Sequence, residues 1–145
     1  MDLIDEILDN VKTIAVVGLS DNPARASHGV SAYMQAQGYR IIPVNPALKG
    51  AAVLGEQSYD DLESALAAAQ AQGVAIDLVD VFRRSELAGE VADVAVRIGA
   101  SYIWMQDGVV DEAAAERART RGVGVIMDDC ILRQHKRRRG SGIAS

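Results

Sequence analysis

The sequence is poor in the residues that most catalytic, metal-binding and disulfide-stabilised proteins need. Its 145 residues include one cysteine, two histidines and three prolines, and aromatic residues make up 4% of the chain. The single cysteine, Cys130, excludes an internal disulfide, and the chain lacks a Cys/His cluster of the kind that binds zinc. No apolar run approaches the roughly 20 residues that span a bilayer, and the acidic opening "MDLIDEILDN" is unlike a signal peptide. These absences predict a cytoplasmic protein without a membrane partner.

The charge is unevenly distributed. The formal net charge is −5, yet the last part of the chain, "RQHKRRRGSGIAS", holds five of the fifteen basic residues and no acid. We therefore expect a single acidic domain at residues 1–132 and a basic, flexible tail at 133–145. An acidic body with no second basic surface does not favour specific nucleic-acid binding.

Strand-like and helix-like segments alternate along the chain. Five β-branched, apolar segments are typical of strands buried on both faces, and they read "KTIAVVGL", "YRIIPVN", "AIDLVDVF", "ASYIWMQ" and "VGVIMD". Amphipathic or alanine-rich segments with glycine near their ends separate them and predict helices. The pattern predicts an α/β fold of the doubly wound, Rossmann-like class, with a parallel five-stranded sheet and helices on both faces.

Folds of this class bind ligands beyond the carboxyl ends of their strands, at the point where successive connections leave in opposite directions. We expect the first and fourth strands to flank that crevice. Most of the unusual polar residues follow the five strands, in "GLSDNPARASHG", "VNPALKG", "DVFRRS", "WMQDG" and "MDDCIL". This clustering is the main indication of function.

The loop after the first strand, "GLSDNPARASHG", has the features of a phosphate-binding loop. A glycine lets the backbone approach a ligand, and small polar residues before a helix leave free N–H groups for an anion. An arginine adds forked donors that suit phosphate. The predicted phosphate-binding residues are Gly18, Ser20, Arg25, Ser27 and His28, although His28 alone is equally compatible with a helix cap or a surface position.

The loop after the second strand disfavours a nicotinamide dinucleotide. That ligand ordinarily needs a compact G-x-G-x-x-G and an acid near the end of this strand, whereas this chain has "PVNP" there. Asn45 and Pro46 can instead place an amide near a base or ribose, and Lys49 can meet a further phosphate. A plain Asn-Pro turn and a surface lysine are the simpler alternatives.

The remaining loops supply apolar and polar contacts. Val81 and Phe82 can cover a flat ring beside Arg83, although Phe82 is also suited to the core. Gln106 and Gly108 follow the fourth strand and are expected at the rim of the crevice. Cys130, after the fifth strand, is either a buried, inert thiol or a thiol exposed to the crevice.

Taken together, these segments resemble the small stand-alone CoA-binding proteins. They are also similar to the CoA-binding domain of the succinyl-CoA synthetase α subunit and of the ADP-forming acyl-CoA synthetases. The resemblance runs from about Val11 to His135 and is carried by "IAVVGLSDNPARASHGV", "GYRIIPVNP", "DLVDVFRRSE", "IWMQDGVV" and "VIMDDCI".

The resemblance implies that coenzyme A, free or acylated, is held at the carboxyl edge of the sheet. The loop from Gly18 to His28 would contact its phosphates, and Asn45, Pro46 and Lys49 would line the nucleotide region. The resemblance further places residues 81–83 against the adenine or its ribose. Gln106 and Gly108 would lie along the pantetheine arm, with Cys130 near its thiol end.

The departures from the synthetases exclude ligation by this chain alone. The synthetases use a phosphohistidine and an ATP-grasp partner, and neither His28 nor His135 corresponds to that histidine. We therefore expect a CoA carrier, sensor or accessory subunit that is not by itself an enzyme. Two alternatives stay open: a cofactor-binding subunit of a redox or acyl-CoA ligase enzyme, and a redox switch in which Cys130 forms a mixed disulfide with CoA. The pathway, the acyl group, a protein partner and the oligomeric state are not predicted.

Overall fold

A computed structural model describes residues 2–140 of the chain. Its strands are β1 (Thr13–Val17), β2 (Arg40–Val44), β3 (Ala52–Val53), β4 (Glu56–Gln57), β5 (Leu78–Val81), β6 (Tyr102–Met105) and β7 (Gly124–Ile126). Its helices are α1 (Leu3–Asn10), α2 (Ala26–Ala36), α3 (Leu62–Ala71), α4 (Ser85–Arg97), α5 (Glu112–Thr120) and α6 (Ile131–Gly140). None of the helices in residues 2–140 has the length and apolar character required to cross a bilayer.

Five of the strands form one parallel sheet in the order β2-β1-β5-β6-β7. The predicted fold class is therefore confirmed. Strand β2 lies at the edge of this sheet, which is where proline is tolerated because its missing N–H breaks no interior ladder bond. Pro43 sits within this edge strand, as its residue type indicates.

The expected position of the crevice needs one correction. The strand order places β1 beside β5, the third strand of the large sheet, whereas the sequence argument placed the first strand beside the fourth. The chain leaves β1 toward β2 on one side and returns from β2 to β5 on the other, so the switch point lies between β1 and β5. Five-stranded sheets of this order have their switch point at this place, whereas the six-stranded order has it between strands one and four.

The two faces of the sheet are packed differently. On one face, α3, α4 and α5 contribute mostly alanine to the core, including Ala65, Ala88 and Ala114, which are fully buried. On the other face, larger residues from α1, α2 and α6 pack together with Trp104 at 0% exposure. Small side chains allow a helix to approach a sheet closely, while the larger ones fill a wider layer.

A short hairpin between β2 and α3 was not predicted. Strands β3 and β4 pair antiparallel around Leu54 and Gly55, which both have positive φ angles of 54° and 76°. Two-residue hairpin turns of this kind usually carry Asn-Gly or Asp-Gly. Because leucine occupies the first position of the turn, the sequence does not indicate a hairpin here.

The expected flexible tail is wrong for residues 133–140. These residues belong to helix α6, and Arg138 is buried, with its guanidinium 3.3 Å from Asp5 Oδ1 and 2.7 Å from Asp9 Oδ1 of α1. His135 is also buried, and its Nδ1 lies 2.8 Å from the Tyr33 hydroxyl. The basic run therefore meets an acidic helix, a long-range pairing that composition alone does not reveal. The rest of the expected tail, 141–145, lies outside the described residues.

Candidate functional site

A crevice of about 620 Å³ opens at the carboxyl edge of the sheet, at the switch point between β1 and β5. Its volume is in the range of small-molecule sites. Residues from the loops after β1, β2, β5 and β6, from α2 and from the loop before α6 surround it. They are Gly18, Ser20, Arg25, Ala26, Ser27, Val30, Asn45, Phe82, Arg83, Gln106, Asp107, Val109 and Cys130.

Gly18 is where the two central loops come closest. Its φ angle is +91°, and a Cβ added to it would lie 2.2 Å from the carbonyl oxygen of Phe82. Its N–H donates to the carbonyl of Val44, 2.8 Å away. A side chain at this position would push the loops after β1 and β5 apart, so glycine is required by both the backbone angle and the close approach.

The loop from Gly18 to Ser27 is fixed by hydrogen bonds between its own residues. The N–H of Ser20 donates to Ser27 Oγ, the N–H of Asn22 donates to Ser20 Oγ, and the N–H of Ala24 donates to Asn22 Oδ1, each at 3.0 Å. Such side-chain to backbone bonds are how Ser and Asn stabilise turns. The long loop therefore has a defined shape before any ligand binds.

Asn45 joins three of the loops that border the crevice. Its Nδ2 donates to the Leu19 carbonyl at 3.1 Å, and its Oδ1 accepts from the N–H of Ala47 at 3.0 Å. Nη2 of Arg83 donates to the same Oδ1 at 3.5 Å. The amide that was predicted to contact a ligand is thus occupied in holding the loops after β1 and β2 beside Arg83.

Helix α2 begins without a side-chain cap. Arg25 occupies the N-cap position, and among residues 2–140 no capping side chain accepts a hydrogen bond from the first turn of this helix. Helices α3 and α5 start at the same sheet edge, but Asp61 and Asp111 accept hydrogen bonds from their first turns. An uncapped helix start with an arginine beside it is an anion-binding arrangement, because the N–H groups and the helix dipole both favour negative charge.

A buried amide that lines the crevice is hydrogen-bonded to a buried acid behind it. Gln106 is 3% exposed, and its Nε2 donates a hydrogen bond to Oδ1 of Asp80, which is 2% exposed. Burial raises the pKa of Asp80 to about 7, while the hydrogen bonds from Gln106 and from the N–H of Val81 act in the opposite direction. Burial prevails because a carboxylate loses more hydration than two neutral donors return.

A second cavity, of about 400 Å³, adjoins the crevice on the opposite face of the sheet, between α3 and α4. Arg83 contributes to both cavities. Apolar residues Val44, Leu87 and Val91 line part of the second cavity, and Leu87 is 41% exposed. Together the two cavities make an extended path that passes over the ends of β1 and β5.

Eight of the thirteen predicted binding residues line the crevice, and five do not. Pro46 lines the second cavity instead, and Lys49 lines a separate surface pocket beside Ser58 and Tyr59. Val81 is fully buried in the core, so its side chain cannot reach a ligand. The remaining two are His28, half-buried on α2, and Gly108, exposed beyond β6. Neither is among the residues that surround the crevice.

The sequence analysis missed Asp80, which contacts the crevice residue Gln106. Its signal was an acid within an otherwise apolar strand, "LVDV". The crevice residues Ala26, Val30, Asp107 and Val109 were missed too, although each lies within three residues of a predicted one. Cys130 is half-buried and lines the crevice, which agrees with the thiol exposed to the crevice rather than with a thiol buried in the core. Within residues 2–140, no group of three or more His, Cys, Asp or Glu side chains is arranged to hold a metal ion.

Fold and site together define a doubly wound α/β protein with a crevice at the switch point of its sheet. The model of the family described as a CoA binding domain matches residues 12–136. The chain therefore belongs to the CoA-binding domain family, as its resemblance implied.

Known relatives have the same extent. The uncharacterized protein YneT of Bacillus subtilis is 46% identical over 132 residues, which cover 91% of each chain. A solved structure of a hypothetical protein from Pyrococcus horikoshii is 33% identical, with a TM-score of 0.81 over 92% of this chain and 88% of that one. A structure from Thermus thermophilus is 28% identical, with a TM-score of 0.80 over 94% of this chain and 98% of that one. These relatives are small proteins built on the same fold.

Proposed function

We propose that this protein binds coenzyme A or an acyl-CoA in the crevice and acts as a carrier, sensor or accessory subunit. The observation that carries the proposal is the uncapped start of α2, with Arg25 beside it, at the switch point of a CoA-binding domain. Coenzyme A fits these residues because it brings a pyrophosphate, a separate ribose phosphate and a long, neutral arm.

The phosphates are assigned to the start of α2. Arg25 is exposed and can form a bidentate pair with a phosphate group, and the first-turn N–H groups add neutral donors. The Cβ-free edge of Gly18 lets the ligand approach the backbone where the two central loops meet. The hydrogen-bonded loop keeps these groups in place, so little conformational entropy is lost on binding.

The two ends of the ligand are assigned to the two cavities. The base and ribose are assigned to the second cavity, where Val44, Pro46 and Leu87 offer apolar surface and Arg83 marks the entrance. The pantetheine arm is assigned to the crevice between Phe82 and Val109, which would bring its thiol toward Cys130. His28, Lys49 and Gly108 are retained only as weaker contacts at the periphery, because they lie outside the crevice lining.

Coenzyme A is preferred over a nicotinamide dinucleotide because of the end of β2. Asn45 occupies the place where an acid would hold the ribose hydroxyls of NAD, and its amide is already bonded to Leu19 and Ala47. The function is assigned to binding rather than catalysis, because no residue around the crevice forms a nucleophile and base pair of the kind that acyl transfer requires.

The proposal is tested by thermal unfolding with CoA, acetyl-CoA and NAD at equal concentrations. CoA and acetyl-CoA are expected to raise Tm, since ligands that bind only the folded state stabilise it, while NAD has little effect. The Arg25→Ala and Ser27→Ala double variant is expected to lose most of the CoA effect. Arg121→Ala, an exposed arginine at the end of α5, serves as the matched control and keeps it. Equal stabilisation by NAD, or no effect of CoA at millimolar concentration, would contradict the proposal.

A further inference from the structure

An acid lies beneath the crevice at a place where an anionic ligand is expected. Asp80 is in the central strand β5, between Val16 of β1 and Trp104 of β6 in the sheet register. It is 2% exposed, and the groups that lower its pKa are two neutral hydrogen-bond donors rather than a cation. A buried carboxylate with so little compensation is costly, so the neutral carboxyl is favoured in this position.

The partner of Asp80 has one oxygen that lacks a donor. Nε2 of Gln106 donates to Oδ1 of Asp80, but Gln106 Oε1 is buried and has no hydrogen-bond partner among residues 2–140. Leaving such an acceptor unsatisfied destabilises the fold, because its lost hydration is not replaced by a hydrogen bond. A primary amide and a carboxyl group that share one hydrogen bond can form a second, from the carboxyl O–H to the amide oxygen, when the carboxyl carries a proton.

We propose that Asp80 is protonated in the ligand-bound protein and donates to Gln106 Oε1, so that ligand binding in the crevice is coupled to the uptake of one proton. The inference rests on the proposed function, because it assigns an anionic ligand to the crevice above this pair. Binding takes a proton from solvent onto the Asp80 carboxylate, and dissociation returns it.

Two physical effects give the coupling this direction. A bound ligand excludes water from the crevice and so increases the cost of a charge behind it. Phosphates bound at the start of α2 also repel a carboxylate in the nearby strand β5, and this repulsion is stronger in a region of low dielectric. Both effects favour the neutral acid, and a pKa of about 7 in the free protein places the exchange near neutral pH.

Other titratable groups face the same space and must be separated from Asp80. Around the crevice, Arg25 precedes α2, Arg83 follows β5, Asp107 follows β6 and Cys130 precedes α6. Hydrogen bonds from Arg133 hold the pKa of Asp107 below its ordinary value, so Asp107 stays ionised at neutral pH. The ligand phosphates are common to the wild-type protein and to variants at Asp80, so their protonation does not distinguish the two.

The test is isothermal titration calorimetry with CoA in buffers of different ionisation enthalpy, on the wild-type protein and on Asp80→Asn. The amide of Asp80→Asn can donate to Gln106 Oε1 at every pH, so it mimics the protonated acid. The wild-type protein is expected to take up more protons than the variant above neutral pH. Between about pH 6.5 and 8.5, the CoA affinity of the wild-type protein should fall by a factor about ten times larger than that of the variant. The reason is that each pH unit above the pKa of Asp80 lowers the affinity by up to a factor of ten. Asp111→Asn, at the start of α5 and outside the crevice lining, is the control and should keep the wild-type proton uptake.

Identical proton counts in wild type and Asp80→Asn, with CoA bound by both, would overturn the inference and leave the proposed function standing. No binding of CoA by either protein would remove the proposed function and this inference with it. A second measurement needs no ligand and no variant that must fold. Carbon-13 NMR of the aspartate carboxyl groups of the free protein should show Asp80 titrating near pH 7, within about one unit, and a midpoint near the ordinary aspartate value would contradict the proposal.

Discussion

Helices α2, α3, α4 and α5 all begin at the carboxyl edge of one sheet, yet they begin in two different ways. The outer pair, α3 and α5, is capped by Asp61 and Asp111. The inner pair, α2 and α4, follows the two strands at the switch point and has Arg25 and Arg84 in the N-cap positions, with no capping side chain within residues 2–140. One sheet edge thus has acids on the outside and arginines in the middle.

We interpret the capped starts of α3 and α5 as contributing to stability, and the uncapped starts of α2 and α4 as available to a ligand. An aspartate cap satisfies first-turn N–H groups and contributes about 1 kcal/mol to stability. Hydrogen bonds from Ser64 to Asp61 also hold the pKa of that carboxyl below its ordinary value, as expected for a cap that is ionised. At the switch point this stabilisation is absent, and the same N–H groups are left to a negatively charged ligand. The predictions below test that division, in order of expected effect.

The largest effect concerns the acid under the switch point. The pKa of Asp80 is higher in the folded protein than in the unfolded chain, so the folded state holds its proton more tightly. Stability is therefore greatest below about pH 4 for this group, falls as the pH rises toward about 7, and levels off above it. The full change is about 4 kcal/mol, and Asp80→Asn should remove it.

Urea unfolding of the wild-type protein and Asp80→Asn between about pH 5 and 8 measures about 3 kcal/mol of this change. The exposed acids Asp61 and Asp107 have lowered pKa values and lose their contribution only at acidic pH, so they do not mask it. Parallel stability curves for the two proteins would show that Asp80 is ionised throughout and would contradict the assignment of its pKa.

The next effect is expected at Gly18. In Gly18→Ala the new Cβ meets the Phe82 carbonyl and the residue must hold a φ of +91°, so stability should fall by about 3 kcal/mol. Gly29→Ala is the control, because a Cβ there meets no atom within 4 Å and alanine favours a helix. Chemical denaturation should show a loss for the first variant and a small gain for the second. An unchanged Gly18→Ala protein would mean that the two central loops are not held together as described.

The third prediction converts an inner helix start into an outer one. Arg25→Asp supplies α2 with the cap that α3 and α5 have, so the unliganded protein should become more stable by about 1 kcal/mol. CoA affinity should fall about 100-fold, since a charged hydrogen bond is lost and a repulsive charge is gained. Thermal unfolding and calorimetry measure the two effects separately. A variant that gains stability and still binds CoA would break the link between the missing cap and the ligand.

The smallest effect is the reverse test at an outer helix. Asp111→Ala removes the cap of α5 and should reduce stability by about 1 kcal/mol, while Asp111→Asn retains an acceptor and should cost less. Because Asp111 lies outside the crevice lining, CoA affinity should not change in either variant. A loss of affinity would show that the outer edge also takes part in binding.

Most of the fold could be predicted from the sequence, because the apolar pattern of each strand agrees with its buried position in the sheet. The apolar runs around Ile14, Ile42 and Val79 mark strands that are buried on both faces, and glycines end the helices between them. The order of the strands and the contacts between distant parts of the chain could not be predicted. The position of β5 beside β1 depends on how the crossovers pack, and the basic helix around Arg138 is held by acids of α1 that are more than a hundred residues away.

The lining of the crevice was predictable where a loop supplies it, as at Gly18, Arg25 and Ser27. It was less predictable for side chains, because a motif gives the loop and not its orientation. Lys49 directly follows the short helical turn Pro46–Leu48 and lines a different pocket, and Val81 is buried in the core. Asp80 carried a signal, an acid in a central strand, that only its burial makes meaningful.

The most direct test is a crystal structure of the protein grown with CoA. The account predicts the pyrophosphate at the start of α2, within hydrogen-bond distance of Arg25 and of first-turn N–H groups, with the pantetheine arm passing Phe82 above Gln106. An empty crevice at saturating CoA, or CoA bound elsewhere on the surface with Gly18 and Ser27 untouched, would contradict it.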